Sequence, residues 1–349
     1  MNTAILGTGS YLPDPVLTSA ELGERLGVGE DWIEMRTGIR ERRTAPPEQA
    51  TSDLATEAAR RALVAAGLPA GDLDLIVLAT STPDQPLPAT ACLLQANLGA
   101  SRAAAFDVDA VCTGFVYALV VARAMLLADP TRRTALVVGA DTYSRVLDYA
   151  DRRTCVLFGD GAGAVVLAKT GADRGVLAST LASDGTLADL VRIAAGGSRK
   201  PASTQTVQAG EHHFAMRGGD VRRLAAAVVP KLVAELLDAA GLALPDVDLI
   251  VPHQANGAMM TDWADTLGLP PGLLHRTVER YGNTGAASVP VTLDDAVRCG
   301  RLGDGTVVLL VAFGEAGELA AAVAFLAADA SSYLTGHVLA VDGGYGIGR

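Results

Sequence analysis

The stretch Asp107-Val-Asp-Ala-Val-Cys112-Thr-Gly114-Phe-Val-Tyr-Ala-Leu119 places a cysteine between a short apolar segment and a long one. The pattern predicts a strand that runs into a helix over residues 112–128, in which Arg123 is the one charged residue. The first turn of a helix has unpaired backbone N–H groups and the positive end of the helix dipole, and both favour a thiolate. A small buried core residue is the alternative for this cysteine, and the stretch alone does not decide between the two.

The chain around this stretch contains the same two patterns twice. Ala-Ala-Gly-Leu at residues 65–68 recurs at 239–242 (239 − 65 = 174), and Asp-Leu-Asp-Leu-Ile-Val at 72–77 recurs as Asp-Val-Asp-Leu-Ile-Val at 246–251 (246 − 72 = 174). A strand-like segment at 134–139 likewise has a counterpart at 306–311. Two long halves with one order of elements indicate a duplicated fold of sheets covered by helices. We expect functional groups where equivalent strand ends and helix starts of the two halves face each other.

Composition limits the class of protein. The chain has 349 residues, 50% of them hydrophobic, which predicts a globular protein with a large core. Its 28 basic and 39 acidic residues give a net charge of −11, which argues against nucleic acid and anionic membrane surfaces as partners. We find no signal peptide pattern and expect no apolar run of bilayer length. The cysteines are widely spaced without a CxxC pair, so we expect neither zinc nor disulfides and predict a cytoplasmic protein.

Two segments of the second half carry further polar candidates. An apolar strand at 249–252 ends directly in His253-Gln-Ala-Asn256, where a hydrogen-bonded core histidine is the alternative to a functional one. Asn283 lies in a Gly/Asn turn that opens a helix, where it would ordinarily be read as the cap. In a duplicated fold this helix is the counterpart of the helix at Cys112. The three side chains are therefore expected to converge.

Three other segments give weaker signals. Gly7-Thr-Gly9 follows the first predicted strand, residues 2–10, but lacks the third glycine of a dinucleotide fingerprint. The basic run at 36–43 is, taken alone, a solvated surface segment. Ser52 is the expected cap of an amphipathic helix that reaches Ala66, and residues 73–79 read as a buried strand.

Six motifs together resemble the β-ketoacyl-[acyl-carrier-protein] synthase III family of the thiolase fold, over residues 1 to about 314. The motifs are residues 7–13, 32–42, 106–115, 158–163, 251–256 and 282–290. The resemblance implies an α/β, thiolase-like duplicated fold with two similar mixed-sheet halves in α/β/α/β/α layers. It places the nucleophile in an N-terminal half, 1–170, and the histidine and asparagine in a C-terminal half, 171–326. Residues 327–349 are then an atypical tail.

The resemblance also implies an acyltransferase that initiates fatty acid or polyketide synthesis. Cys112 would accept an acyl group from acyl-CoA as a thioester. His253 and Asn283 would donate hydrogen bonds to the carbonyl oxygen of a malonyl thioester and stabilise the enolate formed as CO2 leaves. The condensation needs no metal and no redox cofactor, since acyl-CoA and the malonyl thioester are both substrates.

The family's CoA pocket and subunit contact map onto further positions. Trp32 would stack on adenine, and the other expected contacts to CoA are Arg36, Arg152, Met216 and Asn256. The resemblance implies a homodimer in which Leu87 falls where a residue, often aromatic, closes the partner's acyl pocket. Because leucine is smaller, we expect acceptance of acyl groups longer or more branched than acetyl.

Departures from the family concern the acyl carrier protein. The segment Gly257-Ala-Met259 and Asp265 replace basic residues that meet this acidic partner, while Arg222 and Arg223 remain. We therefore expect weaker steering of the carrier protein. An acyltransferase that passes the acyl group of Cys112 to a non-carrier acceptor without condensation is the alternative function. A non-enzymatic partner subunit is a third, which an intact Cys112, His253 and Asn283 argue against.

The ending departs further. From about residue 315 the sequence resembles the C-terminal tail of short-chain dehydrogenases, but none of Lys169, Lys200 and Lys231 has the tyrosine four residues earlier that their catalytic pair requires. We therefore expect no dehydrogenase activity. Glu315 and Ala316 stand where the family has glycines of an oxyanion loop, which predicts slow condensation. The alanine-rich residues 320–326 could supply the last strand, although their composition favours a helix.

Overall fold

The computed structural model describes residues 1–29, 31–171, 175–303 and 305–314, together with the backbone of 336–338. The strands are β1 Asn2–Tyr11, β2 Val16–Thr18, β3 Glu41–Arg43, β4 Leu75–Ala79, β5 Ala104–Val108, β6 Thr134–Asp141, β7 Gly161–Thr170, β8 Gly175–Val176, β9 Val191–Ile193, β10 Phe214–Met216, β11 Leu249–Pro252, β12 Thr306–Val311 and β13 Gly336–Val338. The α-helices are α1 Ser19–Leu26, α2 Trp32–Thr37, α3 Thr51–Ala66, α4 Thr90–Leu98, α5 Gly114–Ala128, α6 Thr204–Gln208, α7 Gly218–Ala239, α8 Gly257–Leu267, α9 Val278–Tyr281 and α10 Ser288–Arg298.

The first half is built on a five-stranded mixed sheet in the order β1-β7-β6-β4-β5. Strand β4 pairs parallel with β5 and β6, and β7 pairs antiparallel with β6 and β1. Side chains of β4 alternate between two cores: Leu75 and Val77 pack with α5, whereas Ile76 and Leu78 pack with α3. Because both faces are covered, the strand is a continuous apolar run, as parallel strands of layered α/β proteins are.

The second half repeats this arrangement with fewer strands. Strands β11 and β12 pair parallel, and the backbone of β13 lies parallel between β12 and β8. Helices α7 and α8 pack on one face of β11 and β12, while the buried side chains of α10 share the central core with those of α5. The layers are therefore helix, sheet, helix pair, sheet and helix, which confirms the predicted duplicated fold.

Glycines allow the layers to approach closely. A Cβ on Gly163 of β7 would lie 2.6 Å from the backbone N of Val291 in α10, and a Cβ on Gly139 of β6 would collide with the Ala286 carbonyl. In the same way Gly7 and Gly9 of β1 leave room for the backbone of α3. The glycines of the incomplete dinucleotide fingerprint therefore allow helix packing, which agrees with its classification as a weak signal of nucleotide binding.

Two local predictions were wrong in detail. Ala50, not Ser52, precedes α3 as its cap residue, and the Ser52 hydroxyl instead donates to Asp84 at 2.7 Å. The predicted strand at 73–79 begins at Leu75, because Leu73 closes a 3₁₀ turn by donating its N–H to the Ala70 carbonyl. The residues proposed for the last strand, 320–326, and the loop positions Glu315 and Ala316 lie outside the described residues.

One segment, in which Arg123 interrupts the apolar run, matches a membrane span in length and composition. It is Val111–Ala128, and half of it is buried inside the protein. Its side chains Phe115, Leu119 and Leu126 belong to the central core between the two sheets. Packing in that core accounts for its apolar composition.

Candidate active site

Cys112 lies in a tight turn between β5 and α5. The turn is a 3₁₀ segment, Val111–Thr113, and α5 begins only at Gly114, so the predicted helix start at residue 112 was two residues early. Cys112 is buried, and the residue before it, Val111, has a φ of 45°. A β-branched residue is strained in this left-handed region, and such strain concentrates at functional sites. The turn thus places Cys112 directly before the first turn of α5, at the positive end of the helix dipole.

His253 follows the last residue of β11 and is completely buried. Its backbone N–H donates to the Val311 carbonyl at 2.6 Å, which ties it to the end of β12. Within the described part of the chain, neither ring nitrogen has a hydrogen-bond partner. Burial lowers the pKa of the imidazole to about 3, so it is neutral. A histidine with a purely structural role in the core would be hydrogen-bonded. In His253, by contrast, the protonated ring nitrogen is a donor and the other ring nitrogen is an acceptor, and both are available to a ligand.

Asn283 is held by its backbone and by one side-chain atom. Its N–H donates to Leu157 O and its carbonyl accepts from Gly159 N, both at 2.9 Å. Its side-chain oxygen accepts from the N–H of Gly285 at 2.9 Å, in the turn before α10. The residue that precedes α10 as its cap is Ala287, so the reading of Asn283 as the helix cap was wrong. The amide nitrogen Nδ2 is buried without an acceptor among the described residues. The bond from Gly285 therefore orients Nδ2 as a hydrogen-bond donor, in addition to the imidazole of His253, without an acceptor among the described residues.

The turn after Asn283 connects the three segments. A Cβ placed on Gly114, at the start of α5, would lie 3.5 Å from the Ala286 side chain. Two residues later, the Ser288 hydroxyl accepts from the N–H of Gln254, the residue after His253, at 2.6 Å. The structure therefore brings the segments of Cys112, His253 and Asn283 to one junction between the halves.

A cavity of about 460 Å³ leads towards this junction. All five residues expected to contact CoA line it: Trp32, Arg36, Arg152, Met216 and Asn256. Phe313 also lines it, and its ring centroid lies 5.2 Å from that of His253 in an edge-on contact. The cavity thus extends from Trp32 to the residue that contacts the buried imidazole. Arg153 and Met259 also line the cavity without having been expected to contact CoA, and so does Arg222, which was expected to contact the carrier protein.

The outer part of the cavity is positively charged around one aromatic ring. The guanidinium carbons of Arg36 and Arg152 lie 4.6 and 5.5 Å from the centre of the Trp32 ring. Neither guanidinium forms an ion pair with a carboxylate in the described ranges. Their N–H groups can therefore bind phosphate while the indole offers a stacking surface.

Sequence reasoning missed the buried charged residues, among them Arg42 and Asp141. Arg42 was assigned to a solvated basic run, yet it is completely buried and donates to Leu17 O at 3.2 Å and Val156 O at 2.8 Å. Burial lowers its pKa to about 10. Asp141, at the end of β6, is also completely buried, and burial raises its pKa to about 7. Neither position has a local pattern that predicts burial.

Metal chemistry receives no support from the described residues, among which no group of three or more His, Cys, Asp and Glu side chains could hold an ion.

Family models match most of the second half and part of the first. The model of 3-oxoacyl-[acyl-carrier-protein] synthase III matches residues 106–185, and the model of its C-terminal domain matches 237–325. A third model, enoyl-(acyl carrier protein) reductase, matches 306–346. That match overlaps the tail whose sequence resembles dehydrogenases, and most of it falls outside the described residues.

Individual proteins match nearly the whole chain. The acetoacetyl CoA synthase NphT7 of Streptomyces sp. (strain CL190) is 49% identical over 92% of this chain and 97% of its own length. The β-ketoacyl-[acyl-carrier-protein] synthase III of Caldanaerobacter subterraneus is 46% identical over 89% and 93%. The structure of the Thermus thermophilus synthase III superposes with a TM-score of 0.84 at 39% identity, covering 91% of this chain and 97% of that one. This chain therefore belongs to the 3-oxoacyl-[acyl-carrier-protein] synthase III family.

Proposed function

We propose that the protein catalyses the decarboxylative condensation of an acyl group from acyl-CoA with a malonyl thioester. The observation that carries this proposal is the pair of buried, unused nitrogens of His253 and Asn283 beside the turn of Cys112. An acyltransferase without condensation would have no need of both groups. Condensation uses them, because a developing enolate oxygen requires donors that are already in place.

In the first half-reaction Cys112 accepts the acyl group. The thiolate attacks the carbonyl carbon of acyl-CoA, a carbon–sulfur bond forms to Sγ, and the CoA thiolate leaves and takes up a proton. The N–H groups at the start of α5 stabilise the attacking thiolate. Trp32, Arg36 and Arg152 bind the nucleotide part of CoA at the mouth of the cavity, and Met216 and Asn256 line its path inward.

In the second half-reaction His253 and Asn283 bind the malonyl thioester. The N–H of the neutral imidazole and the Nδ2 group of Asn283 donate to the thioester carbonyl oxygen. As the carboxylate leaves as CO2, its electron pair forms the enolate, whose carbon attacks the acyl carbonyl on Cys112. A carbon–carbon bond forms and Sγ leaves as the thiolate, so the enzyme returns to its starting state.

The malonyl group reaches this site on acyl carrier protein or on CoA. The surface charge disfavours the acidic carrier protein, which makes CoA a second candidate carrier. Asp262 of α8 forms an ion pair with Arg222, and Asp220 forms one with Arg223. The two arginines expected to meet the acidic carrier protein are thus already paired, and Asp265 adds a negative charge on the same helix. One of the matched relatives is an acetoacetyl CoA synthase.

We further infer a cytoplasmic homodimer that joins two copies along β5. This strand is the outer strand of its sheet, with Phe106 half-buried at the edge. Leu87 is 84% exposed in the single chain, as a residue that reaches into a partner would be. Acceptance of acyl groups longer than acetyl rests on this placement.

Replacement of Cys112 by alanine should abolish the covalent acyl adduct, because the thiolate at the start of α5 is the acceptor. Intact-protein mass spectrometry after incubation with a panel of acyl-CoAs measures the adduct and the chain length accepted. Cys92→Ala is the matched control and should leave the adduct unchanged. An adduct that persists in Cys112→Ala would place the nucleophile elsewhere.

The acceptor carrier can be identified by charge reversal on α8. We expect the wild-type protein to condense malonyl-CoA at least as fast as malonyl-acyl carrier protein. Asp262→Lys/Asp265→Lys should raise kcat/KM for the carrier-protein substrate by roughly tenfold at low salt, because rim charges act mainly on association. Malonyl-CoA is also an anion and Arg222 lines the cavity, so its kcat/KM should rise as well, but by less than that of the carrier-protein substrate. A wild type that uses the carrier protein alone would rule out CoA as the natural carrier.

The neutral state of His253 predicts a specific pH dependence of stability. Its folded pKa of about 3 lies below the usual value of 6.5, so its contribution to stability is present above pH 6.5 and is lost as pH falls towards 3. Between pH 7 and 4.5 the free energy of unfolding should fall roughly 2–3 kcal/mol more in the wild type than in His253→Gln. Urea unfolding at both pH values measures this. Parallel losses would mean that the folded imidazole takes up its proton as readily as the unfolded one, so that burial does not lower its pKa.

A further inference from the structure

Asp141 is a buried carboxylate whose oxygens accept from both halves of the molecule. Oδ1 accepts from Thr80 Oγ1 at 3.0 Å, from Ser81 N at 2.9 Å and from Thr82 Oγ1 at 2.9 Å, all after the end of β4. Oδ2 accepts from the N–H of Ala286, in the turn before α10, at 2.7 Å. A single side chain thus fixes the end of β4, in the first half, to the turn that follows Asn283.

The turn is shaped around this carboxylate. Gly285 has a φ of 57°, and a Cβ there would collide with Asp141 Oδ2, so glycine is needed on both counts. The N–H of Gly285 donates to the side-chain oxygen of Asn283, while the next N–H, of Ala286, donates to Asp141. Two consecutive N–H groups therefore connect the two side chains: the first binds the Asn283 amide oxygen and the second binds the Asp141 carboxylate.

The same turn lies against the nucleophile segment. The Ala286 side chain lies close to Gly114, at the start of α5, and the Ala286 carbonyl packs against Gly139 of β6. A shift of the turn would therefore change the direction of the Asn283 amide relative to the Cys112 segment. Cys112 itself lies in the 3₁₀ turn directly before α5, and the side chains of α5 are packed in the central core.

We propose that Asp141 is a positioning residue for the condensation half-reaction, which holds the turn at 285–286 and so directs the Nδ2 group of Asn283 without touching substrate. The proposal rests on the function proposed above for Asn283. An amide cannot replace the carboxylate, because Asp141→Asn would direct N–H groups either at the N–H of Ala286 or at the donors of residues 80–82. One of the two connections must then open.

The test separates the two half-reactions of Asp141→Asn. Acylation of Cys112, followed as the burst of CoA release, should stay within about threefold of wild type, because most side chains that pack against α5 belong to β4, β6 and the other strands of the central core rather than to the turn. Condensation with the malonyl thioester should fall about 100-fold, since a misplacement of the order of 1 Å has this effect on a positioned group. Asn283→Ala should lose condensation as well, and the double variant should be no slower than Asn283→Ala alone.

Asp294→Asn is the matched control. Asp294 is another buried carboxylate, further along α10, which accepts from Thr8 Oγ1 at 2.8 Å and Ser10 Oγ at 2.6 Å rather than from the turn. Its loss should lower thermal stability but leave the ratio of the two half-reaction rates unchanged. Should Asp141→Asn fail to fold, Thr82→Val removes one donor to Oδ1 and should give a smaller loss confined to condensation.

Three outcomes would overturn the inference. The first is an equal loss of rate in both half-reactions of Asp141→Asn. The others are a double variant that condenses more slowly than Asn283→Ala alone, and a Thr82→Val variant with slower acylation. An inactive Asn283→Ala beside a fully active Asp141→Asn would reject this inference alone. An Asn283→Ala variant that condenses at the wild-type rate would instead reject the function proposed for Asn283, and the role of Asp141 with it.

Discussion

Two hydrogen-bond donors buried without acceptors are the constraint on which the rest of the site depends. The imidazole of His253 and the amide nitrogen of Asn283 have no partner among the described residues. Leaving such a group unpaired costs about 1–3 kcal/mol, so the fold must hold each of them in place by other means. For His253 this is the pairing of β11 with β12, and for Asn283 the backbone bonds to Leu157 and Gly159. In the function we propose, a substrate carbonyl oxygen supplies the missing acceptor.

The duplicated architecture brings these groups close together. Helices α5 and α10 are counterparts that pack side by side between two sheets, and each begins beside one of the chemical groups. Gly139 and Gly114 leave room for the turn at Ala286 between them. Larger residues at these glycines would separate the helix that presents Cys112 from the turn that orients Asn283. The distance between the Cys112 segment and the Asn283 turn therefore depends on close packing of the two halves.

Much of this was predictable from sequence, because periodic apolar patterns and long motifs report on local structure. The repeat at residues 65–77 and 239–251 indicated the duplicated fold, and the expected CoA contacts line one cavity. The burial of Arg42 and Asp141 was not predictable, since it depends on partners that are distant in the chain, such as Val156 for Arg42 and Ala286 for Asp141. The start of α5 was misplaced for a related reason. The positive φ of Val111 belongs to a turn that the apolar pattern of the segment does not indicate.

Infrared difference spectroscopy of a bound thioester tests the central claim most directly. The probe is a malonyl-CoA analogue that cannot lose CO2, labelled with carbon-13 at its thioester carbonyl. Two donated hydrogen bonds polarise this carbonyl, so its stretching frequency in the wild-type protein should lie below its value in water. The shift should shrink in His253→Ala or Asn283→Ala and vanish when both are replaced. An identical frequency in the wild type and the double variant would show that these nitrogens do not bind the carbonyl oxygen, and would contradict the account.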